Sequence, residues 1–155
     1  MRNYPLNSPQ SAARIVSMVL LADCHVNRDE MDALKRHDIP HRLDLSLEQF
    51  MAVMRQLCDD LRSYSELPWL GAQALPTPSW LALLDEIDDS GLRLILLDLS
   101  ATVVESDHHI AMDEQCLVHS MADHWHLPRP VWRRLARPAA NQPYGLSSAA
   151  LLVAG

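Results

Sequence analysis

The chain has 155 residues, 48% of them apolar, and a formal net charge of −7. That is the length of one ordinary domain, with enough apolar material for a single sizeable core. No run of about 18 apolar residues is present to span a bilayer, and the acidic surplus argues against nucleic acid, whose phosphates call for a basic surface.

Acid excess points instead toward cations, basic protein partners or solubility alone. The most hydrophobic early stretch, 15–22, lacks a basic flank and a small-residue cleavage site, so no signal peptide is expected. Cys24, Cys58 and Cys116 are odd in number, widely spaced and without a C-x-x-C pair. They read as reduced thiols of a cytoplasmic protein, not as a disulfide frame or a zinc site.

Helical periodicity dominates the chain, and strand-like alternation is nearly absent. Ser8-Pro9 reads as an N-cap followed by proline at the first helical position. The helix it opens runs to about residue 22 or 23. Its apolar residues, Ala12, Ile15, Val16, Met18, Val19, Leu20 and Leu21, cover nearly the whole circumference, which predicts a central, buried helix.

Asn27, with Glu30 three residues on, has the form of a capping box; the helix that follows carries Met31 and Leu34 inward and ends before Pro40. Ser46-Leu47-Glu48-Gln49 is a third capping signature, opening a helix to about residue 61 with Phe50, Val53, Met54, Leu57 and Leu61 as its buried stripe. Residues 66–78 hold four helix-breaking positions, Pro68, Gly71, Pro76 and Pro78, and form the longest irregular connection.

Thr77-Pro78 is then expected to cap a helix with Trp80, Leu81, Leu84 and Ile87 inward, stopped by Asp88-Asp89-Ser90-Gly91. Residues 92–104 are apolar on most sides, and their length favours helix over strand. A further helix over 112–125 follows, and Pro128 and Pro130 break it to begin a short basic helix. The arginines of that helix, Arg129, Arg133, Arg134 and Arg137, read as a solvated face. The whole predicts an all-α, single-domain helical bundle of about six to seven helices over 1–137, with 138–155 a weakly structured tail in which 146–153 either docks as a last turn or lies loose.

Two acidic turns align without gaps. Asp23-Cys24-His25-Val26-Asn27-Arg28-Asp29-Glu30 matches Asp107-His108-His109-Ile110-Ala111-Met112-Asp113-Glu114 in the pattern Asp-x-x-(Val/Ile)-x-x-Asp-Glu. Each copy follows a strongly apolar helix and precedes an amphipathic one, so the bundle reads as two helix–acidic turn–helix units. Val26 and Ile110 plug the turns into the core, and the Asp-Glu pairs cap the next helices. The leading aspartates, Asp23 and Asp107, sit at helix C-termini, where the dipole disfavours an anion. Two readings compensate them. One is hydrogen bonding to the turn's own backbone N–H groups. The other is a divalent cation, calcium or magnesium, held by Asp23, Asp29, Glu30, Asp107, Asp113 and Glu114; the loops lack the D-x-D-x-D-G ladder of an EF-hand, so a tight site is not expected.

The run Ala22-Asp23-Cys24-His25-Val26-Asn27-Arg28-Asp29-Glu30, with Asp107, Ile110 and Glu114 at matching places in the second half, resembles the TerB-like (tellurite-resistance) family, whose pattern is Ala-Asp-Gly-x-(aliphatic)-x-x-x-Glu. The resemblance covers about residues 10–127. It implies an all-α bundle from a duplicated helical unit, acidic residues that bind divalent cations, and a role in stress responses without an enzymatic activity. The family's turn glycine is replaced by Cys24 and His108, which predicts strained or altered turns. Ser106 and Ala111 stand where the first copy has Ala22 and Asn27, which makes the second turn the less regular.

The eight histidines invite a second reading, a small metal-dependent enzyme using His108, His109, His119, Asp107 and Glu114, with His119 and Asp123 an i, i+4 pair. No H-E-x-x-H spacing, phosphate-cradling glycine loop or G-x-S-x-G elbow supports an enzyme. Cys58 and Cys116 fall on or near apolar helix faces and read as core. Trp69, Trp80, Trp125 and Trp132 read as packing residues, with Trp69-Leu70 a possible partner ledge among its prolines. The sequence therefore points to a non-enzymatic cytoplasmic interaction or sensing module with a protein partner, modulated by a divalent cation at the acidic turns. A histidine-rich metalloenzyme and a ligand-free acidic adaptor stand as alternatives.

Overall fold

The computed structural model describes residues 2–22, 26, 28–64, 76–106 and 111–132. Among these there are seven helices and no strand: α1 (Pro9–Leu20), α2 (Arg28–Arg36), α3 (Ile39–Arg42), α4 (Leu47–Tyr64), α5 (Thr77–Leu84), α6 (Ser90–Val104) and α7 (Met112–His124). The all-α expectation holds. The connection 65–75, with Trp69, and the terminal segment 133–155, with Arg133, Arg134, Arg137 and the expected tail, lie outside the described residues.

α1 is the central helix. Ser8 caps it, its hydroxyl accepting from the Ser11 N–H at 3.2 Å, and Pro9 occupies the first helical position, where its missing N–H has no intrahelical partner to lose. Every residue from Ser11 to Leu20 is buried, because α4, α5, α6 and α7 all pack against it. α6 lies beside α1, and the two helices that follow the acidic turns both contact this pair: α2 packs on α6, and α7 packs on both α6 and α1.

The Ser46 signature forms a reciprocal capping box. The Gln49 N–H donates to Ser46 Oγ at 3.1 Å, and the Ser46 N–H donates to Gln49 Oε1 at 2.8 Å. The expected stripe of α4 (Phe50, Val53, Met54, Leu57, Leu61) is buried throughout. The second helix ends before Pro40 as expected, and two other expectations are corrected. α2 stops at Arg36, and Pro40 itself sits in the first turn of α3, a place proline tolerates. Pro76, not Thr77, is the N-cap of α5 and makes no side-chain cap bond. Asp88-Asp89-Ser90-Gly91 starts α6 instead of stopping α5: Asp89 Oδ1 accepts from the Leu92 N–H at 2.7 Å.

The scarcity of glycine is met by other residues in left-handed conformation. Asp38 (φ 50°), Asp44 (φ 56°) and His126 (φ 56°) follow the ends of α2, α3 and α7. Asp, Asn and His tolerate this region better than most side chains do. The segment after α7 forms no helix through Trp132, so the expected basic helix does not begin within the described residues.

Candidate functional site

The helices that follow the two acidic turns start in the same register. α2 begins at Arg28, so Asp29 is its second residue and Glu30 its third; α7 begins at Met112, so Asp113 is second and Glu114 third. In both helices the third residue is the buried one: Glu30 is 1% exposed and Glu114 3%. Asp29 is exposed and Asp113 half-buried. Asp23 and Asp107, with Cys24, His25, Asn27, His108, His109 and Ile110, lie outside the described residues.

A carboxylate taken from water is costly unless hydrogen-bonded or paired. A helix start offsets that cost, since its orphan N–H groups and the positive end of the dipole both favour an anion there. Glu114 shows the arrangement: its Oε2 accepts from the Ala111 N–H at 3.3 Å. Ala111 has no oxygen to return the bond, so this is half a capping box. On the core side, Val26 packs against the apolar cluster as expected. Ala22 is buried at the exit of α1, its N–H donating to the Val19 carbonyl at 3.1 Å.

Of the six expected cation ligands, four are thus placed, as two equivalent pairs at two helix starts. Among the described residues no three His, Cys, Asp or Glu side chains converge as a metal would require.

The histidines of α7 are engaged otherwise. An open groove of about 830 Å³ runs between α5 and α7, with Leu81, Cys116, His119, His124, His126 and Arg129 on its walls. His119 stacks against Trp132 with ring centroids 5.7 Å apart. Asp123, four residues on, gives both carboxylate oxygens to Arg129, at 2.8 and 2.6 Å. That hydrogen bond, more than the accompanying charge attraction, holds the Asp123 carboxyl below its ordinary range and pushes the Arg129 guanidinium up. His124 Nε2 lies 2.7 Å from Asp85 Oδ1. The i, i+4 pair therefore serves to fold the segment after α7 back onto the helix. His37 and His41 are exposed.

Cys116 is exposed, which corrects its reading as core, and Cys58 is half-buried. Burial pushes the Cys58 thiol up, opposed by the Arg62 charge. Trp80, Trp125 and Trp132 are buried as expected. Two of them find polar partners: Trp80 Nε1 donates to Ser120 Oγ at 3.2 Å, and Trp125 Nε1 to the Leu84 carbonyl at 3.2 Å.

One charged cluster had no signal in the sequence. Arg14, in the middle of α1, is 1% exposed. Its guanidinium bonds Glu86 and the Arg2 carbonyl, and its carbon lies 4.7 Å from the centre of the Tyr4 ring. No family model, curated protein or solved structure matches this chain.

Proposed function

We propose that this chain is a TerB-like interaction or sensing module, without catalysis of its own, whose two acidic turns respond to a divalent cation such as calcium or magnesium. The observation that carries the reading is the paired burial of Glu30 and Glu114, each third in the helix that follows an acidic turn. Each helix start places a buried glutamate beside an aspartate at the second helical position, both hard oxygen donors. The packing of α2 on α6 and of α7 on α1 and α6 supports a reading in which the two turns are linked through the same helix pair. The net charge of −7 suits a basic face on a protein partner.

Titration with calcium, then magnesium, followed by backbone NMR, tests this. Saturable shifts at Asp29, Glu30, Asp113 and Glu114 in the millimolar range or below are expected, lost together in Glu30→Gln with Glu114→Gln. If neither turn moves with either ion, the cation-sensing reading is discarded and a ligand-free acidic adaptor takes its place. Asp107→Asn is expected to remove the response at the second turn while leaving the melting temperature close to that of the parent chain.

A further inference from the structure

The residues ahead of α1 are not a loose end. The Arg2 N–H donates to Asp60 Oδ2 at 2.9 Å, and the Tyr4 hydroxyl donates to Gln56 Oε1 at 2.8 Å, both on α4. At the other end the Asn7 N–H donates to the Glu86 carbonyl at 2.9 Å, while Asn7 Oδ1 accepts from the Asp88 and Asp89 N–H groups at 2.9 and 3.0 Å. Residues 2–7 thus cross α1 from α4 to the α5–α6 turn. Beneath them lies Arg14, two of whose neighbours, the Arg2 carbonyl and the Tyr4 ring, belong to this segment. The cover is one chain thick, with Arg2, Asn3, Pro5 and Leu6 exposed.

We propose that residues 2–7 form a detachable strap, which opens as a unit while the helices stay folded and bares Arg14 as the cationic centre of a cleft for an extended peptide. Three features point this way. The strap has no helix or strand of its own, so apart from the turn at its end its order rests on long-range hydrogen bonds and the Arg14 contacts, set against the conformational entropy of six residues. Its removal leaves Arg14 with Glu86 and with water, a state a guanidinium accepts readily, whereas Arg14 Nε has no hydrogen-bond partner when the strap is closed. The cleft recognises the strap through a backbone carbonyl on a cation and an aromatic face over it. Any extended segment presenting those two groups at the same spacing satisfies it.

Native-state hydrogen exchange on the unmodified chain reads the opening directly. The Asn7, Asp88 and Asp89 amides are expected to exchange at least about tenfold faster than those of residues 15–20 in α1, through a sub-global step. Exchange of these amides at the α1 rate overturns the proposal. The cleft is tested in Tyr4→Ala, with a synthetic peptide of residues 2–7 added in trans. Saturable shifts at Gln56, Asp60 and Glu86 are expected, absent when the peptide's own tyrosine is replaced by alanine. A variant whose strap amides exchange fast but whose α4 resonances ignore the peptide refutes the cleft. Neither measurement depends on the cation reading of the acidic turns.

Discussion

Arg14 carries its charge into the middle of α1, where Glu86, the Arg2 carbonyl and the Tyr4 ring meet it. Removing one member of a buried pair strands the other, at about 3–5 kcal/mol for a fully buried pair. Glu86 keeps 20% of its side-chain exposure, so Glu86→Ala is expected at the lower end, about 3 kcal/mol by urea unfolding. Arg14→Met removes the charge with its need for a partner and is expected to cost less; a larger loss for Arg14→Met than for Glu86→Ala contradicts this account. The Asp123–Arg129 pair makes a prediction of another kind. Because Asp123 titrates lower when folded than when unfolded, the pair's contribution is complete above the ordinary carboxylate range and fades as pH falls through the lowered value. Both groups are exposed, so the stability effect is small and the carboxyl resonance is the better gauge. In Arg129→Ala the Asp123 midpoint is expected to rise to the ordinary range, and an unmoved midpoint removes Arg129 as the cause.

Helix ends are where local chemistry can be tested in isolation. Ser46→Ala breaks one half of the α4 capping box and is expected to cost about 1 kcal/mol. Asp44, exposed and left-handed at φ 56°, is expected to gain about 0.5–1 kcal/mol as Asp44→Gly; both values come from chemical denaturation, and a loss on Asp44→Gly shows that the aspartate side chain holds the turn. These elements also show what the sequence reveals and what it hides. The Ser8 and Ser46 caps and the all-round apolar α1 were legible because their causes lie within four residues of one another. Asp88-Asp89-Ser90-Gly91 misled because an Asp-Ser-Gly run is polar enough to end one helix and well formed to cap the next; only the Leu92 N–H on Asp89 decides between them. Pro40 marked the end of the second helix correctly, but nothing local showed that it would also open α3, where a first turn accepts it. The buried glutamates were legible as cap residues from their place after the turn, but their burial comes from how α2 and α7 pack. Arg14 was unreadable: Glu86 is 72 residues away, and nothing local marks one arginine as an interior residue.

Across the molecule the stabilising apolar contacts concentrate on α1. Ile15 is wholly buried there, and Ile15→Ala is expected to cost about 2–5 kcal/mol. Leu94, equally apolar but 55% exposed on α6, is expected to change stability by less than about 0.5 kcal/mol as Leu94→Ala; similar losses from both, measured by thermal unfolding, contradict the central place of α1. The distribution of aromatic side chains has a practical consequence. Trp80, Trp125 and Trp132 are all buried, and they lie on α5, at the C-cap of α7 and in the segment after it. The emission of these three therefore reports on the side of the bundle where α5 meets α7, and their blue-shifted contribution should persist until that contact is lost. Residues 2–64 contain no tryptophan, so the lifting of the strap from Arg14 leaves these three indoles in place. The emission of these three indoles alone would record a single quiet baseline while the N-terminal side of the protein opened and closed.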